Sequence, residues 1–167
     1  MPELLTHALV GYVLAVALSY RYRWLTPPYV TVCMMGAFVP DLAKIRLLVP
    51  SWEVERWLGL PFDWVGLHTV GGTLVSVLIG VVLVRAVDRR RVFGLLAVGA
   101  GSHLFLDALL WFPSGRMKPV LWPLITFRPR FSGLFVSTDR WPALVALVAA
   151  ALAWYLRYHR SPPEWDG

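Results

Sequence analysis

The stretch that decides the fold is residues 92–112, VFGLLAVGAGSHLFLDALLWF. Apart from Ser102, His103 and Asp107 it holds only apolar residues and glycine. Its length matches the roughly 20 residues that carry a helix across a hydrocarbon core. On a helix, positions i and i+4 share a face, so His103 and Asp107 project the same way one turn apart. An imidazole and a carboxylate at that depth are costly. They call for polar partners, a metal ion or a water-filled cavity.

Four other apolar blocks surround this one: Leu4–Tyr20, Pro28–Val49, Leu67–Val87 and Trp141–Tyr158. Blocks of this length predict an all-α, polytopic membrane helical bundle of about five transmembrane helices. The whole of residues 1–160 reads as one integral-membrane domain, with a polar, disordered tail over 161–167. Composition agrees: 57% of residues are hydrophobic and 16% charged, against roughly a quarter charged in soluble domains. The first block is not expected to be a cleavable signal, since Glu3 stands where a basic region would. The net charge of +6 points to anionic headgroups, and no aromatic–basic pattern suggests nucleic acid. Cys33 is the single cysteine, so it forms no intrachain disulfide and reads as a packing residue.

Local signals divide the chain further. Tyr20 to Trp24 alternates aromatic and basic residues, as at a membrane interface. Pro27-Pro28 predicts an extended link before the second helix. Pro40 predicts a kink within that helix, with Asp41 presented at the break. Lys44 and Arg46 are expected to snorkel to the surface. Residues 51–66 read as an interfacial, partly helical loop. Arg89-Arg90-Arg91 anchors a helix end, and Asp139 suits an N-cap with Pro142 in the first turn. The link over residues 113–140 is long for so small a chain, which favours a functional role.

Alternating topology brings the polar groups together. His7 and His68 open the first and third blocks. Asp41 and His103 lie about 18 Å and about 17 Å into the second and fourth, which run the other way. All four, with Asp107, fall towards one face of a hydrocarbon core about 30 Å thick. Three imidazoles and two carboxylates suit a divalent ion, zinc first and manganese or magnesium next. A site with an open position can supply hydroxide from a bound water, and carboxylates such as Asp41 and Asp107 can act on protons beside it. Arg116, Lys118, Arg128 and Arg130 lie in the link on the same face and could hold an anionic substrate. Asp63 and Asp139 read first as loop and cap residues.

These residues follow one another as Thr6-His7, Pro40-Asp41, Leu67-His68-Thr69, Ser102-His103 with Asp107, and Gly115 with Leu121-Trp122-Pro123. In that order they resemble the landmarks of the membrane-bound metal-dependent hydrolases that include the YdjM-type, LexA-regulated inner-membrane proteins. Those landmarks are Thr-His, Pro-Asp-x-Asp, His-Arg-Gly-x-Thr-His-Ser, Ser-His-x-x-x-Asp and Gly…Leu-Trp-Pro. The resemblance spans about residues 5 to 125 and implies metal-dependent hydrolysis, of phosphoesters among others. Two positions depart from it. Ala43 replaces the second aspartate of Pro-Asp-x-Asp, and Asp63 falls where the first histidine of the His…His motif would stand, followed by Trp64-Val65 in place of Arg-Gly.

Two readings remain open on sequence alone. One is a membrane-embedded hydrolase that uses metal-activated water on a lipid or lipid-linked phosphoester. The other is a transporter or scaffold whose His/Asp cluster binds an ion or fastens helices. Basic residues sit in the shorter connections on the face opposite the site, so the cell-membrane orientation expected is multi-pass with the site extracytoplasmic.

Overall fold

A computed structural model describes residues 4–111 and 133–160. It is helical: α1 (Leu4–Ser19), α2 (Pro27–Gly36), a 3-10 segment (Val39–Leu47), α3 (Ser51–Leu58), a 3-10 turn (Trp64–His68), α4 (Val70–Val82), α5 (Arg89–Ala108) and α6 (Trp141–Arg160). Extended pairing among the described residues is limited to an isolated bridge between Leu110 and Phe135.

Helix α5 is the centre of the packing. It lies against α1, α2 and α4, while α6 lies against α1 on the outside. Pairs along α5 show that α2 runs parallel to it, while α1 and α4 run antiparallel. At its start, Asp88 accepts from the Tyr29 hydroxyl at 2.7 Å. Further along, Leu95 shares a cluster with Ala15 and Cys33, and Leu96 shares another with Val77 and Val81. At its end, His103 reaches the carbonyl of Ala37. The apolar layers thus fill one half of the bundle and the polar residues gather in the other.

Helix α2 meets α5 at glycines on both sides. A Cβ at Gly36 would lie 2.5 Å from the carbonyl oxygen of Leu96, and one at Gly99 would fall on the carbonyl oxygen of Cys33. Close backbone approach of this kind is how helices associate where no hydrophobic effect drives them together.

Several boundaries differ from the sequence expectation. Pro27 and Pro28 do not form an extended link; they occupy the first turn of α2, where their missing N–H groups leave nothing unsatisfied, and the extended residue is Thr26. The second apolar block is not one kinked helix. It is α2, which ends at Gly36, and then a 3-10 segment with Pro40 in its first turn. The third block is shortened, because His68 lies in the 3-10 turn and α4 begins only after Thr69, whose hydroxyl accepts from the Gly72 N–H at 3.2 Å. Asp139 does not cap α6. Its carboxylate accepts from the Val136 N–H at 2.9 Å, and the helical ladder starts from the Arg140 carbonyl. Arg89 does anchor a helix end, donating to the Val82 and Val84 carbonyls that close α4.

Among the described residues α6 is the helix long and apolar enough to cross a membrane; α1 and α4 are apolar but shorter. Large apolar side chains are exposed along α4 (Leu74, Val75, Leu78, Ile79) and α6 (Leu144, Val148, Leu152). A soluble monomer rarely presents contiguous apolar surface on that scale.

Candidate metal centre

Five ionisable side chains from four elements meet at the end of α5. His7 comes from the second turn of α1, Asp41 from the 3-10 segment, His68 from the 3-10 turn, and His103 and Asp107 from successive turns of α5. All are buried, His7 and His103 to 1% exposure.

Asp107 is the hub. Its Oδ2 lies 2.8 Å from His68 Nε2 and 3.8 Å from His103 Nε2, and its Oδ1 lies 3.5 Å from His7 Nε2. His103 Nε2 also lies 3.9 Å from Asp41 Oδ1. The His7 and His103 rings stack with centroids 3.7 Å apart, and His68 meets His103 edge-on at 5.2 Å.

Backbone carbonyls fix the orientation of two rings. His103 Nδ1 donates to the Ala37 carbonyl at 2.7 Å, and His68 Nδ1 donates to the Pro40 carbonyl at 3.0 Å. The break after α2 is what frees the first of these. In a continuous helix the Ala37 carbonyl would accept from the residue 41 N–H, but here that N–H bonds the Phe38 carbonyl. With both Nδ1 atoms donating, the Nε2 lone pairs point into the cluster. A ligating histidine is commonly held this way, its second nitrogen tied to a carbonyl or carboxylate.

Four buried atoms in the cluster have no hydrogen-bond partner among the described residues: His7 Nδ1, Asp41 Oδ1, His103 Nε2 and Asp107 Oδ1. Two triads bring one ligand atom each to within 4.8 Å of the others, His7–His103–Asp107 and Asp41–His68–His103. The His103 Nε2 lone pair faces two carboxylates, and the His68 Nε2 lone pair faces Asp107. Acceptors in such apposition need a positive centre between them, a proton or a metal ion. The donor set of neutral imidazole nitrogen and carboxylate oxygen fits zinc or a related divalent ion.

Other residues serve the cluster at one remove. Thr69 donates to the Gly66 carbonyl at 2.7 Å and Thr73 to the Leu67 carbonyl at 3.1 Å, which ties the His68 turn to the start of α4. Asp63 caps that turn by accepting from the Val65 N–H at 2.9 Å. Ala43 is buried, so the position that departs from Pro-Asp-x-Asp is filled by a small apolar group. Lys44 was expected to snorkel away. Instead its ammonium lies 2.6 Å from Asp41 Oδ2. The spacing of three residues brings the two side chains together on a 3-10 helix and on an α-helix alike. Arg116, Lys118, Arg128 and Arg130 lie outside the described residues.

The model of the family described as YdjM inner membrane protein matches residues 1–165. The chain belongs to that family. Its family and α6 together assign it to a membrane. No curated protein and no solved structure matches the chain.

Proposed function

We propose that this member of the YdjM family is a multi-pass membrane protein whose buried cluster holds a divalent metal ion, zinc by donor chemistry, and that it hydrolyses a lipid or lipid-linked phosphoester. The observation that carries the metal reading is the set of four buried cluster atoms without a hydrogen-bond partner among the described residues. Each such atom costs about 1–3 kcal/mol if left unsatisfied. A bound cation would remove that cost for the acceptors that face the cluster, Asp41 Oδ1, His103 Nε2 and Asp107 Oδ1. The multi-pass reading rests on the exposed apolar faces of α4 and α6 and on glycine-mediated packing of α2 on α5.

His7, His68, His103, Asp41 and Asp107 would hold the ion. With an open position it would lower the pKa of a bound water to about 7 and polarise a phosphoryl oxygen. The protein's own part is orientation and proton handling. The Ala37 and Pro40 carbonyls hold two rings in one tautomer. Asp41 keeps Oδ1 towards the cluster while Oδ2 is engaged by Lys44, so Oδ1 is placed to accept a proton from water. Asp107, with Oδ2 2.8 Å from the His68 Nε2 lone pair, is placed to pass one on. On the link, Arg116, Lys118, Arg128 and Arg130 would neutralise an anionic headgroup. Burial of the cluster in the membrane-facing bundle favours a substrate drawn from the lipid phase, and we place the site on the extracytoplasmic side.

The test is hydrolysis of lipid phosphoesters in mixed micelles by detergent-purified protein. Activity is expected to vanish on chelation and return with zinc or manganese. Asp41→Asn is expected to lower kcat/KM by about 100-fold or more, the usual weight of a positioned general base. Activity that survives chelation, or an Asp41→Asn variant as active as the parent, would overturn the reading.

A further inference from the structure

Resting on that reading of the site, we propose that Lys44 is its anion-recognition residue, holding Asp41 with one N–H and offering the others to a phosphoryl oxygen of the incoming substrate. In a 3-10 helix, residues three apart stack directly over one another. Asp41, Lys44 and Leu47 therefore form one row along the segment Val39–Leu47. Exposure rises steeply along it: Asp41 is 7% exposed, the Lys44 side chain 35% and Leu47 77%. The row leads from the buried cluster to the surface, with Lys44 at the threshold.

Its ammonium has three donors, and the bond to Asp41 Oδ2 at 2.6 Å uses one. No second partner for it occurs among the described residues. Immediately inward lie Asp41 Oδ1 and His103 Nε2, both buried and unpartnered. An anion bridging Lys44 and the metal position would thus meet positive charge at both ends. The residue type is informative too. The chain has 14 arginines and two lysines, Lys44 and Lys118. Lysine is the compact point charge that fits beside a phosphate where a planar guanidinium would need more room.

The small number of lysines makes the proposal directly measurable. Full-length protein in detergent, with divalent metal supplied, is treated with an amine-acylating reagent, and the rate at Lys44 is read by mass spectrometry against the N-terminal amine. Inorganic phosphate is expected to slow acylation of Lys44 by about fivefold or more in a saturable manner, while chloride at equal ionic strength does not, since a charge-assisted contact is local and bulk screening is not. Phosphatidic acid in mixed micelles forms a second arm. Protection by the lipid at concentrations where free phosphate is inert marks a headgroup as the source, and protection by both marks a free anion. In parallel, Lys44→Met is expected to keep its metal and weaken phosphate binding by about tenfold or more, the loss of one charge-assisted hydrogen bond, with Lys44→Arg intermediate.

Absence of protection by either anion in wild-type protein that holds its metal would overturn the proposal and leave the metal centre standing. So would a Lys44→Met variant that binds phosphate as tightly as the parent, or one that loses its metal and anion together, since Lys44 would then act only by positioning Asp41. Protection of Lys44 in protein that retains no metal would sustain the anion site and count against the metal centre.

Discussion

Asp107→Ala is expected to abolish metal retention. The Asp107 carboxylate lies within 4 Å of all three histidines of the cluster. Its removal takes away a proposed ligand and the carboxylate that the His68 Nε2 lone pair faces across 2.8 Å. Loss of an outer-shell partner alone typically costs about 10–100-fold in metal affinity, so loss of a direct ligand should exceed about 100-fold. Elemental analysis after gel filtration checks this. Because the cavity left by alanine could weaken the fold, Asp107→Asn is the companion variant. It keeps the volume and offers its amide N–H to the His68 Nε2 lone pair, and is expected to stay folded while losing most of the metal. Full metal occupancy in the asparagine variant would show that Asp107 only fastens His68.

Gly99→Ala should be the most damaging single-methyl change in α5. The added Cβ would meet backbone on three sides, the Cys33 carbonyl, the Ala37 N–H and the carbonyl carbon of Gly36. Backbone cannot rotate aside as a side chain can, so the cost should lie at or above the roughly 3 kcal/mol upper end for overpacking. The effect reaches the cluster because His103 lies one turn further along α5 and is bonded to the Ala37 carbonyl of the same helix junction. Separation of α2 from α5 stretches that bond and turns Nε2 away. Thermal unfolding in detergent and metal content should therefore fall together. Gly94 and Gly101 lie in the same helix with nothing within 4 Å of an added Cβ. Alanine there is expected to be neutral or to stabilise by up to about 1 kcal/mol through helix propensity. If Gly99→Ala unfolds at the same temperature as Gly94→Ala, the close junction of α2 and α5 is not what sets the geometry of the cluster.

The polar residues were the most legible part of the chain, for a physical reason. A histidine or aspartate in an apolar block has few places to go, so the alternating direction of successive blocks was enough to send His7, Asp41, His68, His103 and Asp107 to one end. The all-helical architecture was legible on the same grounds. Helix ends were not. Hydropathy does not distinguish an α-helix from the 3-10 path of Val39–Leu47, because both bury similar side chains, and the difference lies in which carbonyl each N–H selects. Pro27-Pro28 was misread as a link because the same residue that breaks a helix interior also begins a helix well. Asp139 was read as a cap from its spacing to Pro142, but a carboxylate close to several free N–H groups can take the nearer one, here that of Val136.

The central claim is that the cluster holds a metal ion. Its most direct test is elemental analysis of wild-type protein purified in mild detergent without chelators, before and after incubation with zinc. About one zinc or manganese per chain, as expected for a site with one shared His103 nitrogen, is the predicted result. Folded protein that retains no divalent metal even after incubation would contradict it.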